Sequence, residues 1–183
     1  MGNYIEELPY GSLIIVNMIL NFSLHHQDNS SSQQLFESLK GWVFTNGCFD
    51  IIHRGHIELF KFCYRQATLG RPAVVGVNSD RSIKELKGTN RPIMGEEDRL
   101  AVLQAIRWID HIVVFDTKSV IPVIKALSPS ILVKGGNYST KACAEKDRIV
   151  GEDYVESIGG TVITAPLIEN ISSTKIIDKI RKG

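Results

Sequence analysis

Residues 41–56 read Gly41-Trp42-Val43-Phe44-Thr45-Asn46-Gly47-Cys48-Phe49-Asp50-Ile51-Ile52-His53-Arg54-Gly55-His56. The apolar run at 42–45 is too short for a helix and has the character of a buried strand. It passes through a turn at Gly47 into a segment of helical spacing, in which Phe60, Cys63, Tyr64 and Ala67 share one face. Two histidines three apart, with Gly55 between them, therefore stand where that helix begins. A helix start offers unpaired N–H groups and partial positive charge, which favours phosphate. Gly55 lets backbone approach a ligand closely, and imidazoles at this turn can donate to phosphate oxygens and stabilise charge that develops during transfer.

The same alternation continues along the chain. Short apolar runs recur at 73–78, 111–115, 131–134 and 161–165, most of them rich in Val and Ile. Leu100, Leu103 and Ile106 form a second helical stripe, and Ile176, Ile177 and Ile180 a third, each predicted to face the core. Strand–helix alternation means parallel pairing with right-handed crossovers. The predicted fold is thus α/β, a Rossmann-like doubly wound parallel sheet of about five strands with helices on both faces. Ligands of such sheets bind outside the carboxyl ends of the strands. The chain shows no internal repeat.

Composition narrows the function classes. Within 183 residues, 21 Lys and Arg stand against 20 Asp and Glu, a formal charge of +1. That leaves no global field for nucleic acid or an anionic membrane, and neither is expected as a partner. An apolar fraction of 43% excludes wholesale disorder. Cys48, Cys63 and Cys143 form no CxxC pair, which argues against a disulfide scaffold or a structural zinc, and no protein-bound metal is predicted.

Residues 1–40 are irregular and are set apart as an N-terminal extension from a domain at 41–183. The apolar run 13–20 is interrupted by Asn17, preceded by Glu6 and Glu7, and much shorter than the roughly 20 residues of a membrane span. A cytoplasmic location follows as the expectation. The run is open to three readings: an extra strand, a contact for a homo-oligomer, or an arm. His25 and His26 sit in a polar stretch (27–34) that has the composition of a linker.

Three further stations fall at strand ends. After Asn78, Ser79 and Asp80 come Lys84, Lys87, Arg91 and Arg99, either convergent on the sheet edge or a solvated face. Lys134 ends the run 131–134 and Gly135 and Gly136 follow it, and two glycines there suit either an ordinary strand exit or the close approach of a flat base. Asn170-Ile171-Ser172-Ser173-Thr174-Lys175 opens the last helix, where hydroxyls can cap it or bind phosphate.

Taken together, these motifs resemble the cytidylyltransferase-like nucleotidyltransferases, whose HxGH signature matches His53-Arg54-Gly55-His56. Residues 78–92 are similar to heptose-1-phosphate adenylyltransferases, and 170–175 to the superfamily's terminal ISTT-type motif. The similarity runs from Trp42 to Ile180. It implies transfer of AMP from ATP to a sugar 1-phosphate, D-glycero-D-manno-heptose 1-phosphate, with ATP and the sugar phosphate as partners and Mg²⁺ as the accompanying ion. In some relatives this domain follows a sugar kinase; here the stand-alone form is the expectation.

The resemblance implies roles for particular residues. His53, His56, Lys87 and Arg99 would carry catalysis, Lys87 and Arg99 by offsetting developing charge. Asn46, Gly47, Cys48, Phe49, Asp50, Gly55, Lys134, Gly135, Ser172, Ser173 and Thr174 would bind the nucleotide, with Lys134 and Gly135 near base and ribose. Asp50 is also a candidate Mg²⁺ ligand. Three departures stand out: Asn137 where the family has Asp, Asn170 where Gly is common, and Leu167 where glycerol-3-phosphate cytidylyltransferases carry Arg. Two alternatives remain: a cytidylyltransferase for glycerol 3-phosphate or a related phosphate, and a nucleotide-binding subunit without catalysis.

Overall fold

A computed structural model describes residues 13–16, 41–67, 71–136, 149–166 and 168–183. The readings made of His25, His26, Asn137, Cys143 and Leu167 lie outside these residues. In chain order the elements are β1 (Leu13–Val16), β2 (Val43–Gly47), α1 (Arg54–Gln66), β3 (Ala73–Asn78), α2 (Asp80–Lys87), α3 (Glu96–Gln104) and β4 (His111–Phe115). They continue with α4 (Ile121–Leu127), β5 (Ile131–Gly135), α5 (Glu152–Ser157), β6 (Thr161–Ala165) and α6 (Ser173–Arg181).

One sheet runs in the order β1-β4-β3-β2-β5-β6. The five strands from β2 onward are parallel, as the Val- and Ile-rich runs predict. The apolar run at the N-terminus supplies a sixth strand: β1 pairs antiparallel with the outer edge of β4, Leu13 opposite Phe115 and Val16 opposite Ile112. This settles the first of the three readings of that run for residues 13–16, because a lone edge strand needs only a partner with free N–H and C=O groups.

Alternate residues of β2 to β6 feed two cores. Trp42, Phe44, Val74, Val113 and Leu132 face α4 and α5 through Val123, Ile124, Leu127 and Val155. Val43, Val75, Val77, Ile112 and Val133 face α1 and α3 through Leu59, Phe60, Cys63, Leu100 and Leu103. Helices therefore cover both faces, as a doubly wound sheet requires. Burial in the second core pushes the Cys63 thiol up to about 12, so it stays protonated.

Two predicted stripes are narrower than expected. Tyr64 is 42% exposed and lies edge-on to Trp108, at 5.4 Å, rather than in the core. On α6 only Ile177 is buried, and Ile180 is 71% exposed. Helical spacing fixes which residues share a face, and the width of the groove beneath decides how many of them are covered.

Gly76 of β3 leaves no room for a side chain beside Phe44 of β2. A Cβ there would come within 2.7 Å of the Phe44 ring, which is fully buried. Overpacking of this kind costs about 1–3 kcal/mol. Gly76→Ala is expected to lower the thermal midpoint by about 3–9 °C on that basis, and a melting curve within 1 °C of the parent would show that Phe44 repacks freely.

Candidate active site

The strand order reverses direction at β2, which has β3 on one side and β5 on the other. A crevice belongs at that switch point. The β2–β3 register extends over five pairs, from Val43–Ala73 to Gly47–Val77, whereas β2–β5 holds only Val43–Ile131 and Phe44–Leu132. Past that point a side-chain bond replaces the ladder: Lys134 Nζ donates to Asn46 Oδ1 at 2.6 Å. Above it opens a cleft of about 380 Å³, within the range of small-molecule sites.

The turn after β2 supplies one wall. Phe49 has a positive φ of 48°, and its ring lies so close to Gly47 that a Cβ at 47 would be 3.0 Å from it. The folded-back ring props His56 edge-on at 5.2 Å and rests on Phe60 at 5.1 Å. His56 in turn stacks on His53, centroids 3.7 Å apart and planes 18° from parallel. Gly55 matters here for a reason beyond backbone approach, since a Cβ would crowd the His53 ring at 3.1 Å.

These imidazoles are poised as neutral donors. Burial lowers the pKa of both; for His56 the charges of His53 and Lys87 add to it and bring the value to about 4. His53 occupies the cap position of α1 yet makes no side-chain cap bond. Neither Nδ1 has a hydrogen-bond partner among the described residues. A helix start without a capping side chain, beside two imidazoles that line the same cleft, suits an anion.

Asp50 folds the next segment over the site. Its Oδ1 accepts from the amides of Ile93 and Met94, both at 2.8 Å, and its Oδ2 from Arg91 Nε at 2.6 Å. Burial pushes its pKa up, but the amides of Met94 and Ile93 and the Arg91 guanidinium outweigh that and hold it below the usual carboxylate range. A group with a depressed folded pKa adds stability above its unfolded pKa and loses it as pH falls through the folded value. Asp50→Asn keeps an amide acceptor but loses the ion pair. It is expected to cost about 1–3 kcal/mol at pH 7, and the gap in urea unfolding should close as pH drops below about 4. A gap independent of pH would show that the charge of Asp50 is idle.

The remaining predicted residues divide. Asn46, Gly47, Cys48, Phe49, Asp50, His53, Gly55, His56, Lys87, Lys134, Gly135, Ser172, Ser173 and Thr174 all line the cleft, and Lys87 is exposed. Arg99 does not. It is fully buried, with Nη1 donating to the Cys48 carbonyl and Nη2 to Asp80 Oδ1, both at 2.8 Å. The expectation that it meets substrate is corrected: its charge is used to hold the turn. Lys84 is likewise absent from the lining.

At the start of α6, Ser172 Oγ accepts from the Lys175 amide as the cap, and Ser173 Oγ donates to the Ile51 carbonyl, tying this helix to the first turn. Asn170 takes a left-handed φ of 63°, so it replaces Gly at a conformation Asn tolerates.

Sequence reasoning missed Leu59, Pro166, Ile168 and Ile171 in the lining and named Arg91 without a role. Leu59 carried a signal, four residues before Cys63 on the same helical face; Ile168 and Ile171 carried none. The described residues do not fit a protein-held Mg²⁺. No group of three His, Cys, Asp or Glu gathers among them, and both Asp50 oxygens are taken. No helix among them is long and apolar enough to cross a membrane.

The model of the family described as cytidylyltransferase-like matches residues 44–179, from β2 into α6, and so takes in every wall of this cleft. The chain belongs to the cytidylyltransferase-like family. Membership makes it a nucleotidyltransferase. It is 43% identical over 144 residues to the bifunctional protein HldE of Geotalea uraniireducens and 46% identical over 140 residues to that of Alcanivorax borkumensis. Those alignments cover 79% and 76% of this chain but only 28% of either relative. A lipopolysaccharide core biosynthesis protein from Thermoplasma volcanium superposes with a TM-score of 0.51 at 26% identity, over 72% of this chain and 98% of that one.

Proposed function

We propose that this chain transfers AMP from ATP to a sugar 1-phosphate, D-glycero-D-manno-heptose 1-phosphate, giving ADP-heptose and pyrophosphate. The observation that carries the transfer chemistry is the convergence of two helix starts, α1 with its stacked histidines and α6 with Ser172 and Thr174, on one crevice at the sheet's switch point. The likeness to bifunctional HldE proteins and to a lipopolysaccharide core biosynthesis protein supports the sugar acceptor, as does the resemblance of residues 78–92 to heptose-1-phosphate adenylyltransferases.

In this reaction an oxygen of the sugar phosphate attacks the α-phosphorus. The bond from that phosphorus to the bridging oxygen of the β-phosphate breaks, and pyrophosphate departs with the electron pair. The nucleophile is already ionised at neutral pH, so catalysis rests on positioning and charge stabilisation. His53 and His56 donate to the triphosphate as charge builds. Ser172 and Thr174 hold the terminal phosphates at the start of α6. Gly135 and Gly136 leave room for the base, and Lys87 and Arg91 meet the acceptor's phosphate. Magnesium enters with the triphosphate as part of the substrate.

The test is pyrophosphate release with ATP, CTP, GTP or UTP, each with and without the heptose 1-phosphate, and with glycerol 3-phosphate in parallel. Release that needs ATP and the heptose phosphate together is the expected result. Release with CTP and glycerol 3-phosphate would keep the chemistry and replace the substrates.

A further inference from the structure

The cations around the cleft differ in who neutralises them. Arg91 is paired with Asp50 at 2.6 Å and Arg99 with Asp80 at 2.8 Å. Lys134 is not paired in this way. It lies half-buried in the lining of the cleft, its ammonium forms no ion pair with any described carboxylate, and its bond goes to the neutral amide oxygen of Asn46. An ammonium withdrawn from water without a counter-ion is costly to the free protein, and desolvation already brings its pKa down to about 8. A methionine would fill the same space without that cost. The partner is equally telling: Asn46 orients the ammonium without neutralising it, whereas an aspartate would cancel its charge and repel an incoming anion.

We propose that Lys134, set by Asn46, is the catalytic cation that binds the phosphoryl group being transferred, a role that rests on the nucleotidyl-transfer reading above. Its place selects that phosphate over the others. Lys134 immediately precedes the Gly135–Gly136 turn assigned to the nucleoside, while the hydroxyls assigned to the terminal phosphates stand at α6. The α-phosphate is the one attached to the nucleoside, so a cation adjoining that turn meets it before the terminal phosphates, and Lys134 and both sets of residues line one cleft. The counter-ion that no described carboxylate provides is thus supplied by the substrate.

The experiment compares Lys134→Met, Lys134→Arg and Asn46→Asp in the whole chain. The readouts are thermal midpoint without ligand, affinity for α,β-methylene-ATP with Mg²⁺ by calorimetry, and kcat for pyrophosphate release. Lys134→Met is expected to lower kcat by about 10²-fold or more and to weaken analogue binding by a smaller factor, with a thermal midpoint no lower than the parent's. Asn46→Asp should raise the midpoint while weakening binding, and Lys134→Arg should bind the analogue better than Lys134→Met. Unchanged affinity and turnover in Lys134→Met would overturn the proposal. So would a midpoint that falls in both Lys134 variants alongside activity, which is the mark of a structural lysine. If the parent binds the analogue but releases no pyrophosphate with any acceptor, the nucleotidyl-transfer reading fails and the catalytic role of Lys134 with it, while the binding arm still decides whether Lys134 holds a phosphate.

Discussion

His56→Ala is expected to lower kcat for pyrophosphate release by about 10²-fold or more while the fold stays intact, the magnitude found when one preorganised donor to a developing charge is removed. The stack on His53, the edge contact with Phe49 and the low pKa of about 4 leave a neutral imidazole held in one orientation. A donor preorganised in that way need not reorient to meet developing charge. The same low pKa has a stability signature. Between about pH 4 and the ordinary histidine value of 6.5, the unfolded chain binds a proton at His56 that the folded chain does not. Stability therefore falls with decreasing pH across that window. His56→Ala should make this acid limb shallower, measured by urea unfolding at pH 5 and pH 7. Turnover within a fewfold of the parent would remove His56 from the chemistry, whatever the stability curves show.

How far such a site is legible depends on what sort of contact makes it. Strands buried on both faces announce themselves as continuous apolar runs, and β3, β4 and β6 fall on the predicted residues. β2 and β5 run on into Asn46, Gly47 and Gly135, because a ladder follows backbone partners and is indifferent to where polarity begins. β1 was one of three readings, for its identity is decided by the free edge of β4 nearly 100 residues away. The histidine pair was legible because spacing on one helix start fixes proximity. The charged residues were not, because charge says nothing of which carboxylate lies opposite: Arg91 finds Asp50 and Arg99 finds Asp80 only through the fold. The bond between Asn46 and Lys134 across two diverging strands belongs to the same class.

Arg99 gives the sharpest separation of charge from position. If its part in the site were to offer positive charge, Arg99→Lys would keep most of it. The geometry requires a fork instead, one arm on the Cys48 carbonyl in the cleft wall and the other on Asp80 at the start of α2. A lysine can satisfy one of these from a buried position, so Arg99→Lys is expected to lose both stability and turnover. Arg99→Leu should cost about 2–4 kcal/mol, from the cavity and the unpaired carbonyl together. The estimate stays below the full penalty for breaking a buried ion pair, because Asp80 is 36% exposed and can be resolvated. That loss corresponds to a fall in the thermal midpoint of roughly 5–15 °C. The fall in kcat should come with a smaller change in KM for ATP, since the side-chain bonds of Arg99 go to Cys48, in the turn before His53 and His56, and to Asp80, and neither goes to α6. Full rescue by lysine in both stability and kcat would return Arg99 to the list of charges that act directly on substrate.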